Sequence, residues 1–232
     1  MTAKYVISAT GNHGDSTFSL LSSSPAPFEN KPRKGQYTLF EKTDDLLKRP
    51  LQPIPTERTK GVFVFCSLYG NVVCGPTAED VDDRDVASTD NETLEMLKET
   101  GIKCVPDLKD VKIVGSYAGL RPATTERDYQ FHVDAQKNFL SIASIRSTGL
   151  TASHGIGRHA ASLLCSVFPS IERDLDKEIK VTAFPDVEIL IKEYNERGDG
   201  MVTLPNLGPN CYVTHPITQI GWGGVLIDDV YS

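Results

Sequence analysis

The stretch from Asn138 to Leu164 constrains the fold most, because it joins a buried strand to a helix through a glycine-containing turn. It reads NFLSIASIRSTGLTASHGIGRHAASLL, and residues 138–145 have the apolar, β-branched character of a buried strand. Gly149 permits a backbone conformation that other residues resist. The sequence therefore predicts a strand, a turn and a helix in direct succession.

The start of this helix is a candidate binding site. Thr151 or Ser153 can cap it, and Gly155 and Gly157 would let another element approach its first turn. The unpaired amides of a helix N-terminus favour phosphate, carboxylate or the anionic edge of a reduced cofactor, by about 0.3–1 kcal/mol at an exposed site. A capped helix without any ligand has the same pattern, so the motif by itself leaves both interpretations open.

Short strands account for most of the remaining pattern. Alternating or continuous apolar runs predict strands at 4–9, 36–42, 61–68, 71–77, 111–123 and 128–134, while 22–35 has the composition of a loop. Tyr69 and Gly70, between the third and fourth of these strands, suit a tight hairpin. Because strands outnumber helices, the sequence predicts an α+β fold with a mixed, largely antiparallel sheet. The strand-to-helix unit would belong to a different layer.

Three further helices are predicted outside that unit. The first would begin at a cap provided by Ser88 or Thr89 and end at Gly101. Two short ones are expected at 171–178 and 187–200.

Charge, hydropathy and cysteine usage exclude several classes of protein. The 232 residues carry a formal net charge of −7 without a stripe of Lys and Arg, which argues against a nucleic-acid partner or an anionic membrane surface. No apolar run reaches the roughly 18 residues of a transmembrane segment. The five cysteines are an odd number and none is spaced as CxxC, which predicts an intracellular, reducing compartment such as the cytoplasm or mitochondrion.

The acidic segment AEDVDDRDVASTD (78–90) raises the question of a metal site. An EF-hand needs a glycine at its sixth position and a glutamate at its twelfth, and neither register supplies both. We therefore expect a solvated loop and no metal.

Arg121, in GSYAGLRPA (115–123), is a candidate anion-binding residue. It precedes a proline, which favours an extended backbone and places the side chain at the end of a strand. A guanidinium pairs bidentately with a carboxylate or phosphate. The alternative is an ordinary ion pair with Glu126 or Asp128, which lie close in sequence.

Five stretches together resemble one known family. They are VISATGNHGD (6–15), NKPRKGQYTLFEK (30–42), GNVVCGPTAEDVDD (70–83), GSYAGLRPATTERDYQF (115–131) and the strand-turn-helix stretch. In this order, over roughly residues 5–165, they resemble blocks of the FAD-dependent oxidoreductases of the D-amino-acid oxidase superfamily. Within it the pattern is most similar to the glycerol-3-phosphate dehydrogenase and L-2-hydroxyglutarate dehydrogenase groups.

The resemblance implies a set of site residues. The cofactor-binding ones would be Thr10, Gly11, Asp15, Gly149, Leu150 and Thr151. The last three would lie beside the pyrimidine edge of the flavin, with helix amides directed at its carbonyl oxygen and adjacent ring nitrogen, where positive potential favours the anionic reduced ring. Arg121 would hold a small anionic substrate so that its C–H bond faces the flavin. No catalytic base is assigned.

One family feature is missing from these residues. No GxGxxG follows a first strand, so the diphosphate of FAD has no obvious site, and FAD binding by this chain alone would be weak or absent. The sequence is expected to be the C-terminal portion of such an enzyme, lacking the N-terminal dinucleotide-binding βαβ unit, which another chain could supply. A lysine often precedes the Leu-Thr pair in glycerol-3-phosphate dehydrogenases, whereas Gly149 stands here, which favours a 2-hydroxy acid over a phosphate substrate.

The predicted domain organisation follows from the resemblance. Residues 1–30 would be a strand and loop of the FAD-binding domain, 31–135 the substrate domain, 136–175 the returning strand and helix, and 176–232 a C-terminal extension. The predicted function is hydride transfer from a small 2-hydroxy acid or polyol phosphate to flavin. The alternative is a non-catalytic remnant that acts as an interaction or assembly subunit.

Overall fold

The computed structural model describes residues 3–43, 46–54 and 61–171 and the single residue 196. The continuously described residues form two compact units. Unit 1 comprises residues 3–35, 78–87 and 119–171, and unit 2 comprises 36–43, 46–54, 61–77 and 88–118. These divisions fall at other residues than the predicted domain boundaries, and the domain assignment stays a prediction. The helices predicted at 171–178 and 187–200 and the extension at 176–232 lie outside the continuously described residues.

Eight strands and three helices make up the described chain. In order they are β1 (Val6–Ser8), α1 (Gly14–Leu21), β2 (Arg33–Lys42), β3 (Phe63–Cys66), β4 (Asn71–Gly75), β5 (Glu79–Asp80), α2 (Asn91–Cys104), β6 (Ile113–Arg121), β7 (Gln130–Asp134), β8 (Phe139–Ala143) and α3 (Gly149–Val167). Single 3₁₀ turns occupy Gly11–His13 and Pro106–Asp110.

The sheet of unit 1 contains β1, β8 and β7 in that order. β1 runs parallel to β8, with Val6 opposite Phe139, and β7 runs antiparallel to β8, with Asp134 opposite Phe139. Every residue of β8 is buried, because helices cover both of its faces.

The two helices of unit 1 contact alternate residues of β8. Leu140 and Ile142 form a cluster with α3, whereas Phe139 packs against Phe18 of α1, with ring centroids 5.7 Å apart. A Cβ added to Gly14 at the start of α1 would lie 3.3 Å from the Cβ of Ala143. Because successive side chains of a strand point to opposite faces of the sheet, β8 contacts α1 on one face and α3 on the other.

Two expectations about α3 are corrected by the structure. The helix begins at Gly149, so neither Thr151 nor Ser153 is its cap, and the N-cap Thr148 makes no side-chain capping hydrogen bond. The hydroxyl of Thr148 instead hydrogen-bonds the hydroxyl of Tyr129. No atom lies within 4 Å of a Cβ added to Gly155 or Gly157, so the close approach expected at these glycines is not seen.

In unit 2 an antiparallel sheet packs against α2. β4 lies between β3 and β2, with Phe65 opposite Val73 and Thr38 opposite Cys74, and β6 pairs with β2. The predicted hairpin is confirmed, with a turn in which the Gly70 amide donates to the Ser67 carbonyl at 3.1 Å. The core consists of Phe40, Val64, Val72, Cys74, Leu97, Val105 and Leu108.

The ends of α2 differ from the sequence prediction. Asp90, and neither Ser88 nor Thr89, caps the helix by accepting a hydrogen bond from the Thr93 amide at 2.9 Å. Gly101 does not end the helix; it is buried within it, where an added Cβ would lie 3.4 Å from Phe40 and Cys74.

The fold-class prediction is confirmed as a mixed α and β architecture whose sheets are largely antiparallel. None of the described helices is long and apolar enough to cross a membrane. Within the described ranges, no group of three or more His, Cys, Asp or Glu side chains is placed to hold a metal ion.

Candidate functional site

The candidate site lies at one edge of the unit 1 sheet. β1 and β8 are parallel neighbours, so their carboxyl ends meet at the same edge. After β1 the chain makes the turn at 9–13 and enters α1, and after β8 it makes the turn at 144–148 and enters α3. In sheets with parallel strands, ligands bind in the crevice outside the carboxyl ends. We call these segments the first turn (9–13) and the second turn (144–148).

The second turn presents the N-terminus of α3. The Gly149 amide donates to the Arg146 carbonyl at 3.0 Å, which closes the turn. The next two amides, of Leu150 and Thr151, belong to the first helical turn and have no acceptor within the helix. Both residues are exposed, Leu150 to 90%. This arrangement can hold a negatively charged or hydrogen-bond-accepting group.

Each turn contains a buried polar atom without a hydrogen-bond partner among the described residues, and neither residue was selected from the sequence. Arg146 donates from Nη2 to the Glu126 carbonyl at 2.8 Å, whereas its Nε has no such partner. In the first turn, the same holds for the Oδ1 atom of Asn12. Leaving a buried polar atom unpaired costs about 1–3 kcal/mol.

Thr10 and Gly11 form the first turn with a conformation that needs glycine. Gly11 has φ +58°, and no atom lies within 4 Å of a Cβ added there, so the backbone angle and not crowding selects glycine. The Thr10 hydroxyl donates to that of Thr17 at 3.1 Å and lies 3.2 Å from the hydroxyl of Ser8. The first turn is thereby tied to both flanking elements.

Asp15 faces the protein in a network that holds the first turn. Its carboxylate accepts hydrogen bonds from the amides of Ser16 at 2.7 Å and Asn30 at 2.8 Å, and from Arg84. Burial raises the pKa of Asp15, but the bonds from Arg84, Asn30 and Ser16 outweigh it and hold the pKa below its ordinary value. Asp15 therefore organises the turn, and its predicted part in fixing a cofactor would be exerted through that turn.

The acidic segment is more than a solvated loop. Residues 78–87, which we call the acidic loop, belong to unit 1. Arg84 in this loop contacts both carboxylate oxygens of Asp15, at 2.6 and 3.0 Å, and Asp85 lies 2.8 Å from Nε2 of His13. Most residues of the loop are exposed, as the prediction of a solvated loop implies, but the contacts of Arg84 and Asp85 with distant residues were not predicted.

Arg121 ends β6 and is half-buried. Its Nε and Nη2 atoms donate to the carbonyls of Arg33 and Lys34, each at 3.2 Å. These two hydrogen bonds hold the guanidinium beside the start of β2.

The segment after Arg121 lies against both turns. The Thr124 hydroxyl donates to the Ser144 hydroxyl at 3.0 Å in the second turn, and the Lys31 amide donates to the Ala123 carbonyl at 2.8 Å. Asn30, next to Lys31, donates from Nδ2 to the Gly11 carbonyl at 3.3 Å. The structure thus connects the sequence-predicted residues of the first turn, the second turn and the Arg121 segment through short hydrogen-bonded links.

A separate concave surface lies in unit 2, with a volume of about 480 Å³. It is lined by Thr38, Asn91, Leu94, Glu95 and residues 113–116. None of the sequence-predicted site residues lines it, and it is not part of the candidate site.

Comparisons with known proteins give a consistent result. The profile of the family described as FAD dependent oxidoreductase (DAO) matches residues 1–163. The chain is 33% identical over 198 residues to a glycerol 3-phosphate dehydrogenase of Caloramator mitchellensis, covering 83% of this chain and 40% of that protein. The chain therefore spans less than half the length of this curated relative.

Solved structures show the same similarity. The dithionite-reduced L-alpha-glycerophosphate oxidase of Mycoplasma pneumoniae with FAD bound superposes with a TM-score of 0.60 at 31% identity, covering 69% of this chain and 42% of that one. Glycine oxidase from Bacillus cereus superposes with a TM-score of 0.59 at 22% identity, over 75% of this chain and 45% of that one, which shows a shared fold.

Proposed function

Since the chain belongs to the family of FAD-dependent oxidoreductases, we propose that it holds the flavin ring and an anionic substrate in an enzyme that oxidises a polyol phosphate. Glycerol 3-phosphate is the substrate class we favour, because the 33% identical relative and the 31% identical oxidase are both named for it. These names outweigh the absence of a lysine before Leu150, which had favoured a 2-hydroxy acid. The diphosphate end of FAD is assigned to a segment outside these residues, in the same or another chain.

The residues at the two turns suit the pyrimidine edge of a flavin, which carries carbonyl oxygens and ring nitrogens. The exposed amides of Leu150 and Thr151 at the start of α3 are donors for such atoms. The space above Gly11 leaves room for a planar group to approach the backbone.

The reaction requires orientation and electrostatics from this chain. A bound flavin would supply the hydride acceptor for oxidising the hydroxyl-bearing carbon of the substrate to a ketone, with the hydroxyl proton passing to a base. Arg121 would hold the phosphate so that this C–H bond faces the ring. The positive end of α3 would favour negative charge at the pyrimidine edge.

The observation that carries the proposal is the meeting of two parallel strands at one sheet edge, where the exposed start of α3 follows one strand and the open backbone of Gly11 follows the other. The test is the visible absorption spectrum of the protein purified from its native source, together with dye reduction by glycerol 3-phosphate and by a 2-hydroxy acid. We expect flavin bands that bleach with glycerol 3-phosphate. Bleaching by the 2-hydroxy acid only would correct the substrate class. If the purified protein contains no flavin and co-purifies stably with an unrelated complex, the result would favour the alternative of a non-catalytic remnant.

Arg121 gives a prediction specific to the substrate. Arg121→Met should lower kcat/KM for glycerol 3-phosphate about tenfold to hundredfold, mainly through KM, because a charged hydrogen-bond donor to the phosphate is lost. Arg121→Lys should recover only part of this loss, since lysine cannot pair bidentately. Arg127→Met, at an exposed arginine nearby, is the control and should leave KM unchanged. Equal KM values for the Arg121→Met variant and the native protein would remove Arg121 from the proposal.

A further inference from the structure

Arg84 is the side chain of the acidic loop that joins the hydrogen-bond network of Asp15, next to the first turn. Its Nη1 lies 2.6 Å from Oδ1 of Asp15 and its Nη2 lies 3.0 Å from Oδ2, so the pair is bidentate. Nη2 also donates to the Asn30 carbonyl at 3.3 Å. The side chains of Arg84 and Asp15 are 26% and 13% exposed, which separates this pair from an ordinary surface ion pair.

The contact between Arg84 and the first turn is reciprocal. Nη1 of Arg84 lies 3.5 Å from the Asn12 carbonyl, and Nδ2 of Asn12 donates back to the Arg84 carbonyl at 3.4 Å. The Asn12 side chain is thereby fixed in an orientation that leaves its Oδ1 buried and unpartnered. Removing Arg84 would release both the backbone and the side chain of Asn12.

The acidic loop is shaped so that it presents Arg84. The Asp83 carboxylate accepts hydrogen bonds from the amides of Asp85 at 2.8 Å and Val86 at 3.0 Å, which folds the loop on either side of Arg84. Asp85 then adds a second contact to the first turn, through His13. Val86 of this loop is 62% exposed, and the contacts of Arg84 and Asp85 with the first turn are polar.

We propose that Arg84 is a positioning residue that sets the first turn, and with it Gly11 and Asn12, for binding of the flavin ring. This rests on the proposed function, which places the ring at that turn. Asp15 is the intermediary, because it links Arg84 to Asn30, whose side chain reaches the Gly11 carbonyl. Arg84 itself need not touch the cofactor.

The test uses the complete protein from its native source, with variants made in the native gene. Arg84→Gln and Asp15→Asn should each weaken flavin affinity about tenfold or more, measured by fluorescence titration with FAD, since each breaks a charge-assisted bidentate pair. The double variant should be no weaker than either single one, because the two residues act as a unit. Arg84→Lys should restore part of the affinity.

Asp134→Asn is the matched control. It removes a carboxylate of unit 1 that accepts hydrogen bonds from the Ser22 hydroxyl at 2.8 Å and the Ser23 amide at 3.2 Å, beyond the end of α1 that is remote from the first turn. Its flavin affinity should equal that of the native protein. If it falls as much as in Arg84→Gln, the effect is general destabilisation and the positioning role is overturned.

Amide hydrogen exchange separates this proposal from the proposed function. Arg84→Gln should speed exchange in residues 11–16 while β8 stays protected, whether or not flavin is present. A native protein that binds no flavin contradicts the proposed function, and unchanged exchange in Arg84→Gln contradicts the contact's role in setting the turn. Faster exchange with unchanged flavin affinity would show that the turn is held for stability and not for the cofactor.

Discussion

Gly11 has φ +58°, in the left-handed region, and no atom of the described residues lies within 4 Å of a Cβ added there. The backbone angle is therefore the reason for glycine at this position. An L-residue in this conformation costs roughly 1–2 kcal/mol, and no neighbouring atom adds a steric cost. The glycine is therefore needed for the path of the chain after β1. A side chain there would also enter the space that we assign to the flavin.

Gly11→Ala should lower the free energy of unfolding by about 1 kcal/mol. Gly119→Ala is the control, because Gly119 also has no atom within 4 Å of an added Cβ but lacks a positive φ, and it should change stability little. Urea unfolding of both variants measures the difference. Equal effects would contradict the role of the backbone angle.

The role of a single residue could be predicted from the sequence where it depends on neighbouring residues. It could not be predicted where it depends on a contact with a residue far away in the sequence. Gly11 stands out because glycine at a strand-to-helix turn has a local meaning. The special backbone angle predicted for Gly149 is wrong, because its φ is not positive; a Cβ there would instead lie 2.7 Å from Cγ2 of Ile145. Arg84 could not be selected, since its partner Asp15 is remote in sequence and the surrounding aspartates indicate solvation. Arg146 is identified only by its unpartnered Nε, which is a property of the fold.

At the scale of elements, the start of α2 shows how tertiary contacts choose among adjacent capping residues. Ser88, Thr89 and Asp90 are all acceptable caps by type. Asp90 also receives a hydrogen bond from Nε2 of the fully buried Gln36 at 2.6 Å, and its amide donates to Oε1 of Gln36 at 2.9 Å. The helix start is thus fixed by a buried side chain on β2.

Asp90→Ala should destabilise the protein by about 1–3 kcal/mol, because it removes the cap and leaves the buried Gln36 amide without this acceptor. Ser88→Ala should stay within about 0.5 kcal/mol of the native protein. Chemical denaturation of the two variants checks both values. A Ser88→Ala variant as unstable as Asp90→Ala would show that the cap is misplaced.

The strands were predicted more completely than the helices, for a physical reason. The predicted hairpin and the runs at 111–123, 128–134 and 138–145 are confirmed, because their alternation or continuous apolarity is a local signal. α1 was missed, since Phe18 is its one buried large side chain and its glycine and serine content indicates a turn. Its packing on Phe139 and Ala143, which no local pattern encodes, makes it a helix.

At the scale of the whole molecule, two groups make stability depend on pH in separate ranges. Burial lowers the pKa of His132, which packs between Phe18 and Phe28, below its usual value near 6.5. The folded state therefore binds this proton less readily than the unfolded state, and stability is lost as pH falls below about 6.5. Asp15, whose pKa is also lowered, contributes stability that is present above about 3.9 and lost as pH falls further.

The melting temperature should accordingly fall in two steps on acidification, one beginning below about pH 6.5 and one below about pH 4. His132→Gln should abolish the upper step only. Asp15→Asn should reduce the lower step without abolishing it, because the pKa values of Asp83 and Asp134 are also lowered, by hydrogen bonds to their carboxylates. Thermal unfolding followed by circular dichroism across this range measures both. An upper step that survives in His132→Gln would contradict the assignment to this side chain.

The pairing of Val6 with Phe139 has a consequence for how the chain acquires its structure. During synthesis β1 leaves the ribosome long before the strand beside which it must lie, and residues 36–77 and 88–118 emerge between them. The loop between β1 and β8 must close before the contacts between these strands can form, and this closure costs conformational entropy. We therefore expect unit 1 to form last and slowly. Until then β1 lacks its partner strand and presents exposed backbone groups that can pair with other chains.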